Sequence, residues 1–135
     1  MTARRIVADV GGSNVRFALN PAYGRLDELR SYRVHDYTTF YDALDVYLGD
    51  TGGIQGCNSV IVGVAGPIDG NCVDVTNSPW FIETERIEAM FGPGAKAGLV
   101  NDLEAVALAL PYLGGDDLRP IGSAPRDPAQ RKTMV

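Results

Sequence analysis

The chain has 135 residues, of which 45% are hydrophobic and 21% charged, the balance of an ordinary globular domain rather than a disordered one. Its net charge of -5 argues against nucleic acid or an anionic membrane surface as the main partner. No apolar run reaches the roughly 18 residues of a membrane-crossing helix, and the stretch before Asp9 is too short for a signal-peptide core, so the cytoplasm is the expected compartment.

In chain order, Ile6 to Val10 is a short apolar run of the kind found in buried strands. It stops at Gly11-Gly12-Ser13-Asn14. Val15, Phe17 and Leu19 then alternate with polar or small residues, so the two runs predict a hairpin around a Gly-Gly turn. A third strand is expected from about Glu28 to Val34. Thr39 and Asp42 have the spacing of a capping pair, and Phe40, Ala43, Leu44, Tyr47 and Leu48 recur at helical spacing until Gly49. Ser59 to Ala65 is a near-continuous β-branched run, the pattern of a central strand, and it breaks at Gly66-Pro67. A polar hairpin around Asp69-Gly70-Asn71 leads into a short strand, Cys72 to Val75. A helix from Thr84 to Phe91, a strand from Ala97 to Val100 and a helix from Leu103 to Leu110 follow, with Pro111 ending or kinking the last. Gly114 to Gln130 reads as a connection, and Lys132 to Val135 as a strand beginning. The order β-β-β-α-β-β-α-β-α predicts an α/β fold with a mixed sheet, opened by three antiparallel strands and covered by helices.

Cys57 and Cys72 lack metal-ligand spacing and are too few for a disulfide framework, so they are expected to be buried or half-buried thiols. His35 has no nucleophile nearby in the sequence and is expected at a surface or strand end.

Three segments could carry chemistry. At Asp9 to Asn14 a strand delivers a carboxylate, and two glycines let successive N–H groups of a tight turn point into one concavity suited to phosphate. Ser13 adds a hydroxyl donor, and Asp9 is placed to meet Mg²⁺, directly or through its waters. A plain Gly-Gly hairpin presents the same residues. Asn101-Asp102 stands where a strand ends and a helix starts; Asp102 is either a helix cap or a carboxylate that accepts a proton from an attacking hydroxyl. Gly63 to Ile68 and Thr76 to Trp80 put small residues and the amide of Asn77 at another strand exit, or else form a simple exit and a core tryptophan.

Taken in order, Asp-Val-Gly-Gly-Ser-Asn-Val-Arg-Phe-Ala-Leu, Gly-Val-Ala-Gly-Pro-Ile, Thr-Asn-Ser-Pro-Trp and Val-Asn-Asp-Leu-Glu-Ala-Val-Ala resemble the motifs of proteobacterial-type glucokinases. The resemblance runs from residue 5 to about 113. It implies a ribonuclease-H-like, actin-like ATPase domain over residues 1–113, with 114–135 connecting to a larger C-terminal domain. It further implies ATP contact by Ala8, Asp9, Val10, Gly11, Gly12 and Ser13, with Mg²⁺ near Asp9. Asn101 and Asp102 would hold glucose, and Asp102 would act as base for the 6-hydroxyl; Asn77, whose amide offers both donor and acceptor to hydroxyls, is the further sugar-binding candidate. A homodimer is the assembly often found in the family. Where the family usually has Gly and Thr, this chain has Ala8 and Ser13; both are small, and Ser keeps the hydroxyl. Family members are more than twice this length, so a second phosphate loop, an adenosine pocket and further sugar ligands would follow Val135, and residues 1–135 alone are expected to be inactive. A kinase for another hexose or an amino sugar, and a non-catalytic actin-like nucleotide-binding module, are the alternatives.

Overall fold

Ile6, Ala8 and Val10 are buried while Asp9 is exposed, so strand β1 (Arg4–Val10) turns one side of its pleat to the core. The computed structural model describes residues 4–53 and 55–123. After β1 come β2 (Asn14–Ala22) and β3 (Arg25–Arg33), a 3-10 turn over Val34–Asp36, and helix α1 (Phe40–Asp50). Next are β4 (Cys57–Val64), three short strands β5 (Ile68–Asp69), β6 (Cys72–Asp74) and β7 (Phe81–Glu83), helix α2 (Thr84–Phe91), β8 (Lys96–Asn101) and α3 (Asp102–Ala109).

Five strands form one sheet in the order β3-β2-β1-β4-β8. The β1–β2 and β2–β3 pairs are antiparallel, whereas β1–β4 and β4–β8 are parallel. This is the mixed sheet that the sequence predicts. By its internal contacts the chain divides into Met1–Asp102, which holds both sheets, α1 and α2, and Leu103–Val135.

Helix α1 begins where expected, and its cap is reciprocal. Thr39 Oγ1 accepts from the Asp42 N–H at 3.2 Å, and the Asp42 carboxylate accepts from the Thr39 N–H at 2.8 Å. The helix buries Phe40, Tyr41, Ala43, Leu44 and Tyr47. Phe17 of β2 stacks on Tyr47 with ring centroids 5.1 Å apart and meets Phe40 at 5.7 Å, so an aromatic cluster joins α1 to the sheet. Arg86 of α2 lies over the Tyr41 ring, 4.0 Å from its centroid.

The structure departs from the sequence reading in several places. Strand β3 starts at Arg25, just after a turn at Gly24 (φ +70), rather than at Glu28; its sequence RLDELRSYR lacks the apolar alternation that marks a half-buried strand, so its start carries no signal. Val34 opens a 3-10 turn instead of ending that strand. Phe81–Glu83 was not expected as a strand, yet it pairs with β6 and completes a second, three-stranded sheet, β5-β6-β7. The last helix starts one residue early, at Asp102, and stops at Ala109; Pro111 falls in the 3-10 turn Leu110–Tyr112. The strand expected at Lys132 to Val135 lies outside the described residues. Among those described, no helix is long and apolar enough to cross a membrane.

Candidate phosphate and sugar site

Val10 pairs in register with Val64, and Val64 with Asn101. Three parallel strands therefore end level with one another. The loops leaving β1, β4 and β8 open on one edge of the sheet, the edge at which ligands collect in α/β folds.

The first of these loops is the turn Gly11-Gly12-Ser13. The Gly11 N–H donates to the Asn14 carbonyl at 2.9 Å, which closes the turn, and the Ser13 carbonyl accepts from the Val34 N–H at 2.9 Å. Among the described residues the N–H groups of Gly12 and Ser13 have no intramolecular acceptor. Adjacent amides presented in this way are what an anion-binding concavity requires. Ala8 and Val10 point their side chains into the core, at 8% and 1% exposure, so neither side chain lines the turn. Asp9 faces the other side of the sheet. Its carboxylate lies 3.4 Å from the guanidinium of Arg16, its register partner, and both side chains are more than half exposed. Water screens such a pair, which contributes at most about 1 kcal/mol and leaves the carboxylate accessible.

A Mg²⁺–phosphate group fits these residues. That ion takes one or two carboxylates, keeps several waters and binds phosphate oxygens, and here one exposed carboxylate stands two residues before the turn's amides. Among the described residues no group of three or more His, Cys, Asp or Glu is arranged to hold a metal by itself. An ion at Asp9 would depend on the phosphates it bridges.

The second loop carries Asn77, whose φ of +58 places a non-glycine residue in the left-handed region. The Thr76 N–H donates to the Ala65 carbonyl at 2.8 Å, and the Ala65 N–H donates to the Val10 carbonyl at 3.0 Å, so this turn hangs from the ends of β4 and β1. It presses on the first loop. A Cβ added to Gly12 would lie 3.2 Å from Asn77 Cβ and from the carbonyl oxygens of Thr76 and Asn77. A Cβ at Gly66 would come within 2.5 Å of the Asp74 carbonyl, so only glycine fits there.

At the third strand end the Asn101 side-chain N–H donates to the Gly66 carbonyl at 3.0 Å. Asp102 follows, half-buried, as the first residue of α3, where a helix N-terminus favours negative charge by about 0.3–1 kcal/mol. It lies inside the helix rather than at the capping position before it. The turn 11–13, Gly66, Asn77 and Asn101-Asp102 thus gather at the level strand ends.

A cleft of about 590 Å³ beside the turn, lined by Gly12, Ser13, Val34, His35, Thr38 and Asn77 among others, has no signature in the sequence. Its far wall comes from the β3–α1 segment, which is polar and carries no motif. His35 is exposed, as expected, with Nε2 3.1 Å from the Asp36 carboxylate. Cys57 is buried, and burial pushes its thiol pKa up; Cys72 is half-buried. Both agree with structural thiols.

The fold and the sequence have counterparts among known proteins. The fold aligns with the crystal structure of a glucokinase from an Antarctic psychrotroph, with a TM-score of 0.76 at 28% identity over 86% of this chain and 37% of that one. It aligns also with a ROK family glucokinase from Streptomyces griseus solved with glucose and AMPPNP, with a TM-score of 0.56 at 19% identity over 77% of this chain and 35% of that one, a likeness of fold alone. The domain therefore has the fold of hexokinase-type sugar kinases. The glucokinase family model matches residues 6–135, and the chain belongs to that family. A glucokinase from Caulobacter vibrioides is 42% identical over 123 residues, which cover 89% of this chain and 37% of the relative. The chain thus spans little more than a third of the length of that glucokinase.

Proposed function

We propose that this chain is the phosphate-gripping and sugar-holding part of an ATP-dependent glucokinase that makes glucose 6-phosphate. The observation that carries the proposal is the shared register row of Val10, Val64 and Asn101, which opens the phosphate turn and the Asn-Asp pair on the same edge. The amides of Gly12 and Ser13, with the Ser13 hydroxyl, bind phosphate oxygens. Asp9 would hold Mg²⁺ through water, and the ion would neutralise charge on the phosphates. Asn77 and Asn101 anchor sugar hydroxyls, and Asp102 accepts the proton of the 6-hydroxyl as it attacks the γ-phosphate. Phosphoryl transfer passes through a loose transition state, so a weakly basic carboxylate serves provided it is well placed. Residues 1–113 form the smaller domain of the kinase and 114–135 lead to the larger one; the enzyme works in the cytoplasm, and its homodimer belongs to the complete protein.

The test is a coupled assay of glucose 6-phosphate formation by the full-length protein with Mg-ATP, run beside fructose and amino sugars. Asp102→Asn is expected to lower kcat about 10²–10⁴-fold, the usual range for a general base. Turnover within a few-fold of the parent would reduce Asp102 to a structural role, and a stronger rate on another sugar would move the substrate. Residues 1–135 alone are expected to show no turnover, because half a cleft cannot close over ATP and exclude water.

A further inference from the structure

Trp80 is 2% exposed and at first sight is a core tryptophan, in edge contact with Phe40 at 6.1 Å. Its polar atoms say more. The indole N–H donates to the Tyr37 carbonyl at 3.2 Å, reaching the segment between β3 and α1. Its backbone N–H donates to Ser78 Oγ at 3.2 Å, and its carbonyl accepts from the Val75 N–H at 3.0 Å. The Ser78 N–H donates to the Val75 carbonyl at 3.2 Å, which completes the turn that holds Asn77 at positive φ.

Followed around the cleft, these bonds close a ring. Ser13 is tied to Val34, the segment from Val34 runs to Tyr37, Tyr37 is tied to Trp80, Trp80 to Ser78, and the adjoining Asn77 packs against Gly12 beside Ser13. Gly12, Ser13, Val34, Tyr37 and Asn77 of this ring line the cleft. Among the described residues, the indole N–H is the side-chain donor that joins the 76–80 turn to the Tyr37 segment.

We propose that Trp80 is a positioning residue, and that through Tyr37 and Ser78 it sets the spacing between the Asn77 turn and the phosphate turn. The proposal rests on the reading of the site as a sugar kinase, in which both turns must meet one ternary complex. Small misplacement of a reacting group is costly in such a site, because catalysis by positioning depends on near-attack geometry.

The decisive variants are made in the full-length protein. Trp80→Phe keeps an aromatic ring and removes the donor; Ser78→Ala removes the acceptor and Ser78→Thr restores it. Ile87→Val, which trims a buried side chain of α2 outside the ring, controls for lost stability. Trp80→Phe and Ser78→Ala are expected to lower kcat at least tenfold and to speed amide exchange in residues 11–14 and 76–79. Ser78→Thr should recover most of both effects, and Ile87→Val should lower the thermal midpoint with kcat and exchange at these turns within twofold of the parent. If Trp80→Phe folds but changes only the midpoint, the residue is purely structural and the proposal fails. Should Trp80→Phe fail to fold, equal kcat for Ser78→Ala and Ser78→Thr would overturn it. A parent that does not phosphorylate any sugar would defeat the kinase reading instead, and exchange at residues 11–14 would still decide whether the ring holds the turn.

Discussion

The side-chain amide of Asn101 is bonded to the backbone carbonyl of Gly66, 35 positions earlier, at 3.0 Å. The bond ties the end of β8 to the loop that leaves β4. A residue assigned to sugar by motif therefore also has an architectural task, and its orientation is set before any ligand arrives. Such preorganisation lowers the cost of ordering a contact on binding.

Asn101→Asp tests both tasks at once. The carboxylate has nearly the same shape but cannot donate to the Gly66 carbonyl, and it places two acceptors together. The variant is expected to raise KM for glucose at least tenfold and to lose about 1 kcal/mol of stability, the net worth of a part-buried hydrogen bond. Steady-state kinetics beside a urea titration checks both; an unchanged urea midpoint would mean that the tie contributes nothing.

Gly12→Ala probes the contact between the phosphate turn and the Asn77 turn. The added methyl would stand 3.2 Å from three atoms, two of them backbone oxygens, so the turns must part by a few tenths of an ångström. Weaker nucleotide binding is the expected result, with KM for Mg-ATP raised about tenfold and the thermal midpoint nearly unchanged. Calorimetric titration with Mg-ATP measures it, and parent-like affinity would show that the turn tolerates the shift.

Tyr47 makes the alkaline limb of stability testable. It is fully buried, its hydroxyl has no hydrogen-bond partner among the described residues, and burial pushes its pKa up to about 12 from 10. Burial likewise raises the pKa of Tyr32 and Tyr41, and in Tyr32 the hydrogen bond it donates to Asp50 at 2.8 Å adds to the effect. A tyrosine whose folded pKa exceeds its unfolded value contributes stability that is fully present below pH 10 and is lost as pH rises toward 12. For Tyr47 the slope in that window is about 1.4 kcal/mol per pH unit. Tyr47→Phe is expected to raise stability by about 1 kcal/mol at pH 8, since it deletes an unmet buried hydroxyl, and to flatten the decline. Melting curves from pH 8 to 11 decide this.

Most of the fold could be read from the sequence because its core elements are strongly patterned. The alternation of Val15, Phe17 and Leu19, the Thr39–Asp42 cap and the β-branched run before Gly63 each specify one backbone. Where side chains are not asked to pack, as along β3, the pattern vanishes and the strand's start is lost. Phe81–Glu83 is too short to show a period, and only its pairing with β6 makes it a strand. The motifs located the strand-end turns, but not the cleft or the Trp80–Tyr37 bond. Those depend on backbone carbonyls and on a left-handed asparagine, which residue identity does not encode.

The position of β1 has a further consequence for how the chain acquires its shape. One edge of this strand is met by β2, its immediate successor, through a short local hairpin. The other edge waits for β4, which is made only after β2, β3 and α1, and β4 in turn waits for β8. Pairings between distant segments form slowly, because a long loop must close before any contact rewards it. During synthesis the three-stranded meander therefore exists first, with the inner edge of β1 open beside its apolar face, and that edge is where premature association with another chain would begin.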